Sequence, residues 1–246
     1  MFDPQSADNY DRWFATSEGR FALEQEKRLI QHLVSGWPRR RQSLLEIGCG
    51  TGIFLEMFWE YGFDIYGLDS SPDMLQKARE KLGNKADLHL GNAECLPFED
   101  NEFDFVAMIT VLEFCKDQRQ VLAEAGRVAR KGLLICFLNK NSLYHISHKL
   151  LRLRQRDKLL VRARWHSYRE IKALVHETLG NKNTYARSVL VGTKILWKDR
   201  HILRTLNRML WPPVLGAFTG LRVDLIDRKP LKTPIPAPVK SEIKAG

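Results

Sequence analysis

The stretch Leu44-Leu45-Glu46-Ile47-Gly48-Cys49-Gly50-Thr51-Gly52 ends an apolar run on an acid and then sets glycine at every second position. Glycine has no Cβ and enters left-handed backbone freely, so such a turn lets main chain pass very close to a ligand. A helix opening at Ile53 would add the unpaired N–H groups of its first turn. Two phosphate-binding patterns are excluded by the spacing. G-x-G-x-x-G needs glycine where Ile53 stands, and the phosphate loop needs Lys straight after its last glycine. An acid at Glu46 instead suits a ligand with a cationic group. Asp69, 17 positions after Gly52 and closing the next apolar run, is placed to accept both hydroxyls of a ribose. Taken alone, Asp69 would serve equally as a turn residue.

Candidate proton acceptors lie farther along. Glu113 sits in Val111-Leu112-Glu113-Phe114-Cys115, and His145, His148 and His166 follow a later apolar run. Each could act as a general base, and for each a surface or structural role competes. Cys49, Cys95, Cys115 and Cys136 are widely spaced without a CxxC pair, which points away from zinc or dithiol chemistry, and three of them fall in apolar stretches, as buried free thiols in a reducing compartment would. No metal site is expected.

The elements that must position these residues alternate. Periodicity predicts a helix over 17–36, stopped by Gly36 and Pro38, then a strand over 43–47 and a helix over 53–61. A strand over 64–68 precedes a helix opened by Ser71-Pro72-Asp73, with a hydroxyl cap, proline in the first turn and an acid beside it. Strands follow at 88–90 and 103–109, a helix at 117–129 and a strand at 133–138. This alternation predicts an α/β, doubly wound, mostly parallel sheet with helices on both faces. Beyond Leu138 the rhythm changes to an apolar stripe Leu143, Ile146, Leu150, Leu153, a helix over 168–179, a strand over 185–191, a second stripe Ile202, Leu206, Met209 and a last strand over 217–225.

The chain has 246 residues, 44% of them hydrophobic, enough for one well-buried domain, and a net charge of +10. Between Asn139 and Pro212 there are 17 Lys/Arg against four acids, whereas the remainder holds 22 basic and 25 acidic residues. One third of the chain therefore carries all of the excess. Arg200, Arg204 and Arg208 share one helical face, and Trp165, Trp197 and Trp211 lie nearby in sequence. Three partners fit this pattern: a solvated substrate lid, an anionic membrane surface and RNA. The order of preference is lid, membrane, nucleic acid. The start lacks a secretory pattern and no window reaches bilayer-spanning length, so a cytoplasmic location is expected, with room for peripheral contact at the inner membrane face.

The runs EIGCGTG, LDSSPDML and GNAECLPFEDNEFDFV, in this order, resemble class I S-adenosylmethionine-dependent methyltransferases of the methyltransferase type 11 kind. The resemblance covers Tyr10 to Leu138 and continues loosely through Trp165–Glu170 and Arg222-Val223-Asp224. It implies a Rossmann-like sheet of seven strands with a helical cap, and S-adenosyl-L-methionine as cofactor. It also implies roles for residues. Glu46 and Gly48 would face the methionine part, Cys49, Gly50 and Gly52 would form the close-packed turn, and Asp69 would hold the ribose with Ser70 beside the adenine. Asn92 and Ala93 would meet the adenine edge, Asn92 standing where most relatives carry Asp. Thr110 would lie near the sulfonium. Tyr10 and Trp13 match an N-terminal segment that closes over the cofactor; packing of the first helix would place them there as well.

Methyl transfer from a sulfonium needs alignment and dryness more than covalent help, so no catalytic triad is expected and none is visible. No Asn/Asp-Pro-Pro-Tyr run follows the fourth strand and no Pro-Cys nucleophile is present. The expectation is one methyltransferase domain over 1–228: an N-terminal cap (1–40), a cofactor-binding core (41–138), a basic substrate cap with a strand (139–212) and a last strand (213–228). The tail, 229–246, is expected to be disordered. The expected function is methyl transfer to a small organic or lipid-like acceptor. The alternatives are an RNA methyltransferase and a non-catalytic cofactor-binding regulator or scaffold.

Overall fold

The structure is a computed structural model describing residues 4–150, 163–193, 197 and 207–226, with backbone alone for 4–9 and 148–150. Arg152, Arg154, Arg156, Arg200, Arg204, the side chain of His148, most of the second stripe and the tail lie outside the described residues.

The chain opens with α1 (Pro4–Ala15) and α2 (Ser17–Leu33), then β1 (Ser43–Ile47), α3 (Ile53–Glu60), β2 (Asp64–Asp69), α4 (Pro72–Leu82), β3 (Ala86–Leu90) and β4 (Phe103–Ile109). It continues with α5 (Gln118–Val128), β5 (Ala129–Leu138), α6 (Leu143–Leu150), α7 (Tyr168–Leu179), β6 (Asn183–Val189) and β7 (Phe218–Asp224). The strands form one seven-stranded sheet in the order β3-β2-β1-β4-β5-β7-β6. The first five are parallel, with Ile47 opposite both Leu68 and Met108, while β7 runs antiparallel to β5 and β6. Sheet order reverses between β1 and β4, the place in such sheets where ligands bind outside the strands' carboxyl ends. The glycine turn follows β1 and sits at that switch.

Alternation along the strands divides the core. Leu44, Phe105, Ala107, Ile109, Leu134 and Cys136 face α2 and α3. Leu45, Ile47, Val106, Met108, Leu133, Ile135 and Phe137 face α5 and α7. By the same period of two, Glu46 shares the first face with Leu44. Helix starts follow the expected chemistry: the Ser71 hydroxyl accepts from Met74 N ahead of Pro72, and Ser167 and Glu170 form a capping box on α7.

Three features depart from the sequence expectation. Helix α1 is a separate element, hinged where Thr16 caps α2; a Cβ at Gly19 would lie 2.0 Å from Trp13 O, so only glycine allows that corner. Strand β5 begins at Ala129, four residues earlier than the apolar run, because Arg130 and Lys131 pair with the buried Asp104 of β4. Strand β6 stops at Val189, since Leu190 turns to φ 62°. Among the described residues no helix is long and apolar enough to cross a membrane.

Candidate active site

The three turn glycines are all left-handed, with φ of 69°, 53° and 78° at Gly48, Gly50 and Gly52. Gly48 N and Cys49 N both donate to Leu68 O, at 2.6 and 3.1 Å, which ties the turn to β2. The glycines differ in what surrounds them. A Cβ on Gly48 would meet Val111 Cγ2 at 2.6 Å and one on Gly52 would meet Leu82 Cδ1 at 2.9 Å, whereas one on Gly50 would meet nothing within 4 Å. Gly48 and Gly52 are thus demanded by packing. Gly50 faces open space and is the point where a ligand can approach backbone.

Two carboxyls flank that space. Asp69 accepts from Gly50 N at 2.8 Å through Oδ2 and from Ser71 N at 2.9 Å through Oδ1, and the carboxylate keeps acceptor capacity beyond its backbone bonds. Burial pushes its pKa up, and the bonds from Ser71, Gly50 and Ser70 oppose the shift. Glu46 is 1% exposed and its Oε2 has no partner among the described residues. Burial first, then the charge of Asp69, hold the Glu46 carboxyl well above the usual range. Cys49 is buried beside both acids, and burial with their charges pushes its thiol up, so it is a packing residue of the turn rather than a thiolate.

The remaining predicted residues ring the same end of the sheet. Ser70 is exposed after β2, and Ala93 packs at the edge of the second core. Asn92 is exposed and its Oδ1 accepts from Glu94 N at 3.0 Å, which leaves one lone pair for a ligand donor. Leu90, opposite Asp69 in register, is 58% exposed and offers an apolar surface that period and composition did not single out. Thr110 takes φ 52° with its N bonded to Cys136 O and its hydroxyl donating to Ile109 O at 2.8 Å. The main-chain turn at Thr110 brings Val111 against Gly48.

Helix α1 covers this region. The Thr51 hydroxyl donates to Asp11 Oδ1 at 2.7 Å, and Lys81 Nζ lies 3.4 Å from Thr51 Oγ1 and 3.9 Å from Asp11, so α1 is latched to the glycine turn and to α4. Sequence reading missed this latch, since Asp11, Thr51 and Lys81 carry no shared motif. The Tyr10 phenol is raised above its ordinary pKa, by burial first and then by Glu26, Glu46, Asp11 and Asp69. Trp13 packs against the first core and edge-on to Phe14 at 4.7 Å. Tyr10 thus stands among carboxyls, and Trp13 packs α1 onto the first core.

On the other side of the switch, Glu113 is 3% exposed. Its Oε1 accepts from Leu138 N at 2.7 Å, stapling the segment after β4 to the end of β5, while Oε2 has no partner among the described residues. Burial raises its pKa to about 7 against the opposing backbone bonds. Glu26, unmarked in the sequence reading, is buried on α2 and burial raises it to about 8. Its signal was an acid on the apolar stripe Ala22, Leu29, Ile30, Leu33. The candidate histidines are placed differently. His166 Nε2 lies 3.0 Å from Gln118 Nε2, and burial with Arg164 lowers its pKa. That contact holds the ring against the α5 start. His145 is half-buried with its ring 4.4 Å from that of Trp165.

A parallel sheet with one reversed strand, β7 between β5 and β6, and a glycine turn flanked by Glu46 and Asp69 define the class, and the comparisons agree. Residues 45–137 match the methyltransferase domain family model. An uncharacterised protein of Methanocaldococcus jannaschii is 34% identical over 192 residues, 77% of this chain and 85% of that one. The malonyl-[acyl-carrier protein] O-methyltransferase of Hamiltonella defensa is 37% identical over 98 residues, which span 40% of this chain and 38% of that protein. A Thermotoga maritima structure described as a S-adenosylmethionine-dependent methyltransferase, possible histamine N-methyltransferase, superposes with a TM-score of 0.71 at 24% identity, over 91% of this chain and 98% of that one. The chain belongs to the class I S-adenosylmethionine-dependent methyltransferases, and its cofactor is S-adenosyl-L-methionine.

Proposed function

We propose that this methyltransferase acts on a small organic or lipid-like acceptor, and that the residues around the glycine turn hold its cofactor. The observation that carries the reading is the open cradle at Gly50, bounded by the unpartnered Oε2 of Glu46 and by Asp69. The donor set fits the cofactor's chemistry. Glu46 would take the ammonium of the methionine part, and Asp69, with its remaining lone pairs, the ribose hydroxyls. Leu90, Ser70, Ala93 and Asn92 would border the adenine. The cofactor supplies a methyl carbon activated by a positive sulfur. The chain's task is to align the acceptor with that carbon and keep water out, effects that together supply roughly 7–11 kcal/mol in well-positioned reactions. Helix α1, held by Asp11 and Thr51, excludes water from above the turn. The malonyl group in the name of the Hamiltonella defensa relative, carried there on an acyl-carrier protein, supports a small acceptor group.

Calorimetric titration with S-adenosylmethionine and S-adenosylhomocysteine tests the cofactor placement. Wild type should bind both with micromolar affinity and Asp69→Ala should bind neither, while keeping a cooperative melt. A well-folded wild type that binds neither compound would refute the reading.

A further inference from the structure

Asn139, the first residue after β5, joins three segments of the chain. It is fully buried, and its Nδ2 donates to Gly216 O at 3.0 Å and its N to Ala217 O at 2.8 Å, which ties down the loop before β7. Its own carbonyl accepts from Ser142 Oγ at 2.7 Å, and that hydroxyl oxygen accepts in turn from His145 N at 3.2 Å, which fixes the start of α6. On either side of Asn139, Leu138 O accepts from His166 N and Lys140 N donates to His166 O, so the strap ahead of α7 is held there too. All three segments therefore meet at the carboxyl end of β5. The glycine turn follows β1 at that same end of the sheet, since β1, β4 and β5 run parallel.

What these segments leave in water is aliphatic and basic. Tyr144 of α6 is buried in the first core, while Leu143 and Ile146, three apart and so on one face, are 59% and 46% exposed. Val214 and Leu215, beside the Gly216 that Asn139 holds, are exposed as well. Arg164 and Arg169 lie on either side of the buried His166 and Ser167; both are exposed and neither forms an ion pair with a described residue. Arg169 also stands in the first turn of α7, where the helix dipole adds positive potential. The wider segment from Asn139 to Pro212 has 17 Lys/Arg against four acids, and two of those acids, Glu170 and Glu177, are already paired with Lys140 and Arg119. Aliphatic side chains gathered at one end of a molecule mark a contact surface, and the charge around this one calls for an anionic partner. RNA would want faces to stack on, which these aliphatic groups do not supply. The boundary between headgroups and acyl chains of an anionic bilayer takes both kinds of residue at once.

We infer that this end of the molecule docks on an anionic phospholipid bilayer, with Leu143, Ile146, Val214 and Leu215 at the headgroup–acyl boundary and Arg164 and Arg169 against the lipid phosphates. The contact is peripheral, since among the described residues no helix is long and apolar enough to cross a membrane. Attraction of the basic residues brings the protein to the surface and is screened by salt, whereas the aliphatic residues hold it there. Docking in this orientation turns the glycine-turn end of the sheet toward the bilayer. A lipid-like acceptor would then be taken from the surface on which the protein sits; that consequence rests on the proposed acceptor class, whereas the docking itself does not.

The test is co-sedimentation of the full chain with vesicles of equimolar phosphatidylglycerol and phosphatidylcholine, against vesicles of phosphatidylcholine alone. Wild type should partition onto the anionic vesicles at least about tenfold more strongly, and about 0.5 M salt should remove most of that preference. Leu143→Asp combined with Ile146→Asp should weaken partitioning at least about tenfold, as should Val214→Asp combined with Leu215→Asp. Arg164→Gln combined with Arg169→Gln should weaken it about tenfold. The two aspartate pairs lie on different segments, so one decides the matter if the other fails to fold. Each folded variant should keep S-adenosylhomocysteine affinity within about twofold of wild type. The inference is overturned if wild type ignores the anionic vesicles, if it binds both kinds alike, or if a folded aspartate variant partitions as wild type does. Oligouridylate binding that the aspartate pairs abolish, without vesicle binding, would assign the surface to RNA and overturn it; a dimer that they dissociate, again without vesicle binding, would assign it to a second copy. Failure of S-adenosylhomocysteine to bind wild type overturns the cofactor placement alone and leaves the docking standing.

Discussion

Alanine at Gly50 separates folding from binding. A non-glycine residue in left-handed backbone costs about 1–2 kcal/mol. At Gly50, φ 53°, that is the whole penalty, because no atom lies within 4 Å of the added Cβ. For a chain of this size about 2–4 °C of Tm is lost per kcal/mol, so Gly50→Ala should melt about 2–8 °C below wild type. Gly48→Ala carries the same backbone strain and also drives its Cβ to 2.6 Å from Val111 Cγ2, on a β-branched side chain with little freedom to move. Overpacking of that kind adds about 1–3 kcal/mol, so Gly48→Ala should melt lower still. Cofactor affinity should rank the opposite way relative to stability. The methyl at Gly50 stands in the cradle itself, and Gly50→Ala should weaken S-adenosylmethionine by more than about a hundredfold, some 2.7 kcal/mol. Thermal melts followed by calorimetric titration read both quantities on the same samples. Gly50→Ala that binds as wild type, or that melts below Gly48→Ala, would refute the reasoning.

Three further outcomes follow from the same geometry. Glu26 and Glu113 have pKa values raised by burial to about 8 and about 7 from the ordinary 4.5. The folded state therefore holds protons that the unfolded chain releases, and stability present below pH about 4.5 is lost as pH rises through about 7 to 8. Tm of the ligand-free protein should fall over that window, and Glu26→Gln should melt with wild type at pH 5 but several degrees higher at pH 9; a variant no more stable than wild type at pH 9 counts against the burial of Glu26. Asp11→Ala removes the acceptor of the Thr51 hydroxyl and leaves Lys81 without its carboxylate. It should speed cofactor release about tenfold in stopped-flow measurements and lower Tm by less than about 4 °C, an unchanged off-rate meaning that α1 does not gate the site. Asn92→Asp replaces a neutral acceptor by a charged one, and should tighten S-adenosylmethionine by about 3- to 10-fold if that side chain meets the adenine amino group; equal or weaker binding on titration places Asn92 elsewhere.

The glycine turn and the acid that closes β2 were legible because their determinants are local. Glycine at 48, 50 and 52 states a left-handed turn in the sequence itself, and Asp69 ends its own strand, so the two meet wherever β1 and β2 pair in parallel. Ser71-Pro72 likewise announces α4 through contacts within one turn. Arg130 and Lys131 hid the first residues of β5, since charged residues read as a break until Asp104 of β4 is set beside them. Neither Arg130 nor Lys131 has a local reason to be in a strand.

The sequence by itself determined the alternation of strands and helices, the glycine turn and the carboxylate after β2, because periodicity and turn chemistry act over a few residues. Only the tertiary structure decided which glycine is open and which two are closed, since that depends on Val111 and Leu82 arriving from other elements. It also decided that Asp11 latches α1 to Thr51, and that Glu26 of α2 and Glu113 after β4 are both buried. Burial, which turns an ordinary glutamate into a proton acceptor near neutrality, is a property of the surroundings that packing supplies, and no spacing of residues along the chain encodes it.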